Sequence, residues 1–150
     1  MKVVFLDFDG VLNSSDFLYG SGEPFSSTQA DEKIDPVAVS RLNKITDATG
    51  ASIVVSSSWR IGKRVADLRG LLKRHGVTGI VVGATPVMGG TRGEQIAKWL
   101  SGREIEAFAI LDDDTFDMGN LPSGSFVKTT MARGLLDEHV TQAIQILGGK

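Results

Sequence analysis

Val3-Val4-Phe5-Leu6-Asp7-Phe8-Asp9-Gly10 is the stretch that decides how this chain folds. Four apolar residues in succession, without polar alternation, suit a strand buried on both faces, as in a parallel sheet. The run stops at two carboxylates, Asp7 and Asp9, which in a regular strand would face the same side. Gly10 follows and permits a sharp turn or a close backbone approach.

The same pattern recurs outward from this stretch. Ser52 to Val55 is a second buried-type strand and leaves through Ser56-Ser57-Ser58-Trp59-Arg60. Ile80-Val81-Val82 is a third, Ala107 to Leu111 a fourth that enters Asp112-Asp113-Asp114, and Ser125 to Thr129 a fifth, edge-like one. Helical signals lie between them. Asp35-Pro36 reads as an N-cap followed by proline at the first helical position, with Val39, Leu42 and Ile45 spaced behind it and Gly50 at the end. Val65, Leu68, Leu71 and Leu72 mark a second helix, with Lys73, Arg74 and His75 in its last turn, where basic residues suit the helix dipole. Gly93 to Leu100 is expected to turn Ile96, Ala97 and Leu100 inward; Asp137 to Leu147 is expected to bury Val140, Ala143, Ile144 and Leu147. Strands alternating with helices predict an α/β domain: three layers, Rossmann-like, with a mainly parallel five-stranded sheet. Residues 13–35 break the pattern, being rich in Ser and Gly with Phe17, Tyr19 and Phe25 interspersed. They are expected to form a flap-like loop, since long loops in small domains are usually functional or mobile.

Composition narrows the function. The 150 residues suit one domain, 1–150, able to bury roughly 70% of the surface its unfolded chain exposes. Lys plus Arg number 16 and Asp plus Glu 18, a net charge of −2. A domain-wide basic field for duplex nucleic acid is thereby excluded, though a local basic patch is not. There is no cysteine, hence no disulfide, thiol catalysis or Cys-based zinc site. The two histidines are far apart in sequence and read as structural or exposed. No apolar run approaches the roughly 18 residues of a membrane span. Asp7 interrupts the first apolar run too early for a signal peptide, so a cytoplasmic location and no membrane partner are expected.

The strand ends carry the chemistry. In an open parallel sheet, ligands bind beyond the carboxyl ends of the strands. Three such ends deliver Asp7 and Asp9, Ser56, and Asp112 and Asp113. Crowded carboxylates raise one another's pKa, and a divalent cation relieves that repulsion. Hard oxygen donors suit Mg²⁺. Acids, Mg²⁺, a hydroxyl and a cation together form a set suited to phosphoryl chemistry. One carboxylate can attack phosphorus while its neighbour handles the leaving-group proton.

Asp7-Phe8-Asp9-Gly10-Val11-Leu12 resembles the first motif of the haloacid dehalogenase (HAD) superfamily of phosphohydrolases. Ile53-Val54-Val55-Ser56 resembles its second motif, and Asp112-Asp113 with Asp117 its fourth. Ser56-Ser57-Ser58-Trp59-Arg60, Thr85-Pro86 and Arg92-Gly93-Glu94-Gln95-Ile96 are similar to a narrower group, the HAD domain of Swiss Army Knife RNA-repair proteins. The resemblance implies the strand order five-four-one-two-three and a role for each residue. Asp7 is then the nucleophile that forms an aspartyl-phosphate. Asp9 is the general acid and later base, and its backbone carbonyl is a metal ligand. Ser56, with Ser57 beside it, binds phosphoryl oxygens. Asp113, with Asp112, completes the Mg²⁺ site with Asp7, and Asp117 orients the acidic loop. Within Asp112-Asp113-Asp114 the register is open by one residue; Asp113 keeps the family's four-residue separation from Asp117.

The third motif departs from the family, which usually has lysine there. Arg92 occupies that position as a phosphate-binding candidate, with Lys63, Arg64 and Lys98 as competitors. Trp59 and Arg60 are candidates for substrate contact, Trp59 by stacking on a base unless it packs in the core, Arg60 by steering a polyanion unless it forms a surface ion pair. No insertion is long enough for a separate cap domain, so the site is expected to be open.

The reading is a Mg²⁺-dependent phosphomonoesterase, in its sharper form a polynucleotide 3′-phosphatase acting on RNA or DNA ends. The alternatives are a phosphatase of small metabolites, a catalytically silent HAD-like binding domain, and a receiver-like signalling domain. A receiver needs an acid at the end of the third strand, where this chain has Gly83-Ala84; only Lys128 would favour it.

Overall fold

β1 (Lys2–Leu6) is the middle strand of a five-stranded sheet in a computed structural model that describes residues 1–20 and 33–150. β2 (Ser52–Val55) and β4 (Ala107–Asp112) flank it; β3 (Val81–Ala84) and β5 (Phe126–Lys128) form the edges. The order is β3-β2-β1-β4-β5 and every pairing is parallel. This is the Rossmann-like arrangement expected of the family, with β1 and β4 adjacent.

Register explains why the chemistry-bearing residues share one edge. Leu6 stands opposite both Val55 and Leu111. The ladders continue just past the strands: Asp7 N–H donates to the Leu111 carbonyl, Ser56 N–H to Leu6, and Thr85 N–H to Val55, at 3.1, 3.0 and 2.9 Å. Asp7, Ser56 and Thr85 are therefore held on the frame of the sheet, which positions side chains more rigidly than a free loop would.

Alternation along β1 divides the core. Val4 and Leu6 pack with Leu42 and Ile45 of α2 (Pro36–Thr49), Leu68 and Leu72 of α3 (Val65–Arg74), and Ala143 of α5 (Asp137–Leu147). Val3 and Phe5 face the other way, toward Ile96 and Trp99 of α4 (Arg92–Leu100) and toward Met118. Phe5 meets Trp99 and Phe108 edge-on at 5.6 and 5.9 Å, the geometry that aromatic quadrupoles favour. α2 begins as its sequence suggests: the Asp35 carboxylate accepts the Val37 N–H, Pro36 is the first helical residue, and Gly50 ends the helix at φ 73°. α5 spans the expected residues, with Ile144 half-buried rather than in the core.

Some expectations are corrected. On α4, Ile96 is buried and Leu100 packs half-buried against the core as expected, but Ala97 is exposed, and Gly93 and Trp99 complete the inward face. Large-ring burial decides this. Trp99 reaches across to Gly83, where a Cβ would sit 3.2 Å from its Nε1, and Gly93 lets the helix lie against the Met118 backbone. β3 runs later than Ile80-Val81-Val82, and Ile80 is 69% exposed, because Ile53 pairs with Val81 and the register then shifts to Val54 opposite Gly83. Within the span read as irregular, Ser15–Tyr19 forms a short helix, α1, capped by Ser14. Residues 21–32 of the expected flap, including Phe25, lie outside the described residues. Among the described residues, no helix is long and apolar enough to cross a membrane.

Candidate active site

A cleft of about 520 Å³ lies over the carboxyl ends of the sheet, with Asp7, Asp9, Arg92, Asp113 and Asp117 among its lining residues. Its centre is an acid cluster. Asp7, Asp112 and Asp113 each offer a carboxylate oxygen, all within 4.8 Å of one another. Asp7 leaves β1 and Asp112 closes the adjacent β4, so their proximity follows from the strand order. Asp113 comes next in the chain and packs over Gly10. A Cβ there would lie 2.6 Å from the Asp113 carboxyl, and the backbone has φ 81°, so glycine is required on both counts.

Burial and mutual repulsion dominate the electrostatics. Asp7 is 5% exposed and Asp112 fully buried. Burial, then the Asp112 charge, pushes the Asp7 carboxyl up to about 7, with Arg92 and the Phe8 N–H opposing only in part. Asp113 is raised by burial and then by Asp112. Arg92 is the cation in contact with this cluster. Its Nη1 lies 2.6 Å from Asp112 Oδ2 and 3.3 Å from Asp7 Oδ2. Burial disfavours its charge, but Asp7 and Asp112 outweigh this and hold the guanidinium above its ordinary value. The competing cations are engaged elsewhere or lie outside the cleft. Lys63 donates to the Trp59 carbonyl, Arg64 pairs with Asp67, and Lys98 is exposed on α4.

The donor set fits a hard divalent cation. It consists of carboxylate oxygens, and one arginine does not balance three acids. Both oxygens of Asp112 already have partners, Oδ2 with Arg92 and Oδ1 with the Asp114 N–H at 3.0 Å. Asp7 and Asp113 are therefore the better-disposed ligands, the register that the four-residue separation favours.

Asp9 is in a different setting. It is exposed and lies outside the acid cluster. Asn13 Nδ2 donates to its Oδ1 and Trp59 Nε1 to its Oδ2, each at 3.0 Å. Asn13 also accepts the Gly10 N–H at 3.0 Å, and Thr129 Oγ1 donates to the Gly10 carbonyl at 2.5 Å. The motif-one turn is thus pinned from two sides. The reading of the sequence did not single out Asn13 or Thr129. An asparagine three residues beyond the glycine of a turn is a signal that could have been used; Thr129, over a hundred residues away, left none.

The serines divide. Ser56 is fully buried and its Oγ has no hydrogen-bond partner among the described residues, which is costly unless a ligand supplies one. Thr85 Oγ1, at the end of β3, is likewise unpartnered. Ser57, expected beside Ser56 on the phosphate, has its hydroxyl engaged differently: it is buried and accepts the Trp59 N–H at 3.2 Å, capping the 3-10 turn Ser58–Arg60.

Arg60 lines the cleft but is only 5% exposed, and among the described residues it forms no ion pair. Nε donates to the Thr85 carbonyl at 2.9 Å, Nη1 to Ser57 at 3.0 Å, and Nη2 to Pro86 at 3.2 Å and to Gln95 Oε1 at 2.8 Å. It ties the loops after β2 and β3 to α4 at the floor of the cleft. Burial, and then the neighbouring Arg92 charge, push its guanidinium below its ordinary value. Trp59 is neither core nor a free stacking platform: it is half-buried, its ring lies edge-on to Phe8 at 5.0 Å, and its N–H is held by Asp9. Asp117 is exposed; its backbone carbonyl accepts the Gly93 N–H at 2.9 Å and so joins the acidic loop to α4. His139 is structural, its Nδ1 accepting the Leu136 N–H at 2.9 Å.

Residues 3–140 match the family model described as the HAD domain in Swiss Army Knife RNA repair proteins. No curated protein and no solved structure gives a significant match. The match spans the whole sheet and every residue of the cleft, and it supports a HAD-type hydrolase in general terms. The chain belongs to the family of HAD domains found in Swiss Army Knife RNA repair proteins.

Proposed function

We propose that the chain is a Mg²⁺-dependent phosphomonoesterase that works through an aspartyl-phosphate on Asp7. One observation carries this reading: Asp7, Asp112 and Asp113 converge within 4.8 Å at the ends of adjacent parallel strands, in a solvent-accessible cleft. Asp7 and Asp113, with the Asp9 carbonyl, would hold the metal. Mg²⁺ bound there would neutralise charge on the phosphoryl oxygens and keep Asp7 ionised for attack. Asp7 then forms the new P–O bond as the ester P–O bond breaks, and Asp9 delivers its proton to the departing oxygen. In the second half Asp9 takes a proton from the water that hydrolyses the aspartyl-phosphate. The unpartnered Ser56 hydroxyl would donate to a phosphoryl oxygen. Arg92 would orient Asp7 from its Nη1 contact, with its remaining N–H donors available to phosphate.

The substrate we favour is a polynucleotide 3′-phosphate end. The family's printed association with RNA repair supports this. So do the three loops that contribute to the cleft, which carry exposed apolar side chains: Ile61, itself in the lining, after β2, Val87 and Met88 after β3, and Phe116, 90% exposed, after β4. Such groups suit bases flanking the reacting phosphate. The test is phosphate release from a 3′-phosphorylated oligonucleotide and from a panel of small phosphate esters, with Mg²⁺ and with chelator. Faster release from the oligonucleotide, abolished by chelator, is expected. Release mainly from small esters would keep the mechanism and discard the nucleic-acid substrate. Release unchanged in chelator would overturn the metal assignment.

A further inference from the structure

We infer that Trp59 is a positioning residue for Asp9, its indole N–H aiming the Asp9 carboxyl at the leaving-group oxygen. The inference rests on the phosphomonoesterase reading above and adds to it a residue for which that mechanism has no role. The Asp9 side chain is exposed, so packing alone does not fix its rotamer. Two neutral donors fix it instead, Asn13 on Oδ1 and Trp59 on Oδ2, each at 3.0 Å. Of the two, Asn13 is local and also serves the Gly10 turn, whereas Trp59 comes from the turn after the neighbouring strand β2, 50 residues along the chain.

The support behind Trp59 is more elaborate than an incidental surface contact needs. Its ring is set edge-on against Phe8 at 5.0 Å and 71°, beside the residue it orients. Its backbone N–H donates to Ser57 Oγ and its backbone carbonyl accepts from Lys63 Nζ, at 3.2 and 3.0 Å. The next residue, Arg60, anchors the turn into the body through buried carbonyls. A proton donor must lie within hydrogen-bond reach of the atom it protonates, so orientation errors at Asp9 translate into rate. The Ser-Ser-Ser-Trp-Arg string is thereby accounted for as a bracket: Ser57 and Arg60 build the turn, and Trp59 extends from it to Asp9.

The variant Trp59→Phe keeps the ring against Phe8 and deletes the N–H. General-acid assistance matters for an alkyl phosphate, whose alkoxide leaves poorly, and little for p-nitrophenyl phosphate, whose leaving group needs no proton. The expected result is a fall in kcat at least about tenfold larger on the alkyl ester than on the aryl ester. Asp9→Asn should remove the effect, so that adding Trp59→Phe to it costs nothing further on the alkyl ester. Equal losses on both esters would make Trp59 merely structural and overturn the inference, as would no loss on either. A wild type inert on both esters with Mg²⁺ would instead overturn the phosphomonoesterase reading. If Trp59→Phe does not fold, the indole N–H resonance of Trp59 in the otherwise intact chain decides. It should move on Asp9→Asn, and an unmoved resonance overturns the contact.

Discussion

Asp7 is buried among charges: burial first, and then the Asp112 charge, raise its carboxyl to about 7, with Arg92 offsetting them in part. Asp9, two residues later, is exposed and held by neutral donors, the amide of Asn13 and the indole of Trp59. The chain thus gives two identical side chains unlike environments within one turn. The difference follows from direction. Asp7 still belongs to the sheet, its N–H on Leu111, and so meets the acids of β4. Asp9 has already entered the turn that Gly10 allows, and it faces the loop after β2 instead. Paired carboxyls with divergent environments are how one fold divides nucleophile from proton carrier.

The strongest way to break this comparison is to make Asp7 resemble Asp9 by removing its charge. Asp7→Asn should lower turnover by about 10⁴-fold or more, since it removes the carboxylate that the proposed mechanism uses as nucleophile. Circular dichroism should report an unchanged fold. Substantial residual phosphate release, carried by the same active site in an active-site titration, would refute the nucleophile assignment.

Gly10→Ala attacks the boundary between the two settings. The added Cβ would meet the Asp113 carboxyl at 2.6 Å, in a backbone conformation at φ 81° that alanine adopts poorly. The expected outcome is a loss of about 1–3 kcal/mol of stability, from strain of this kind. Asp113 should also be displaced, weakening Mg²⁺ binding at least tenfold in a calorimetric titration. Unaltered metal affinity would mean that Asp113 is not a ligand.

Much of this was legible in the strand ends. Val3 to Leu6, Ile53 to Val55 and Ala107 to Leu111 are uninterrupted apolar runs, and where each stops a polar residue stands at the sheet edge. Strand order was not legible from periodicity; it came from the family resemblance, because hydrophobic pattern marks burial and not neighbours. The burial of Arg60 was not legible, for a physical reason. An arginine after a polar run suggests a surface charge, and only the convergence of carbonyls from Ser57, Thr85 and Pro86 makes its burial tolerable. The contact of Trp59 with Asp9 was hidden in the same way, since it joins loops that meet only once β1 and β2 pair. On α4 only Ala97 was misjudged: it is exposed, while the large ring of Trp99 is buried and Leu100 packs half-buried against the same core.

The raised Asp7 pKa gives the comparison a thermodynamic form that needs no substrate. Its folded value is about 7 against an ordinary 3.8, so the folded state holds this proton more tightly than the unfolded chain does. Its contribution to stability is fully present below pH 3.8 and is lost as pH rises toward 7. Asparagine stays neutral throughout. In metal-free protein, Asp7→Asn should therefore gain on wild type between pH 5 and 8 by about 2–3 kcal/mol, at roughly 1.4 kcal/mol per pK unit. Denaturant melts at matched pH would measure it. Mg²⁺ should close part of the gap for wild type only. A difference that stays flat with pH would show that Asp7 is ionised across the range.

The smallest expected effect concerns the rim rather than the acids. Phe116 is 90% exposed, and its N–H is turned onto Asp114 Oδ1 at 3.0 Å, which fixes the loop that presents the ring. An aromatic ring left in water loses hydrophobic stabilisation unless a partner covers it, and stacking of one base is worth about 1–3 kcal/mol. Phe116→Ala should raise KM for a 3′-phosphorylated oligonucleotide by roughly five- to tenfold and leave kcat close to wild type, because the ring stands outside the acid cluster. KM for a small ester should not move, since such a substrate has no base to stack. Equal KM changes on both substrates would mean that the acidic loop, and not a stacking contact, had been disturbed. No change on either would remove Phe116 from the substrate path and return weight to the small-ester reading.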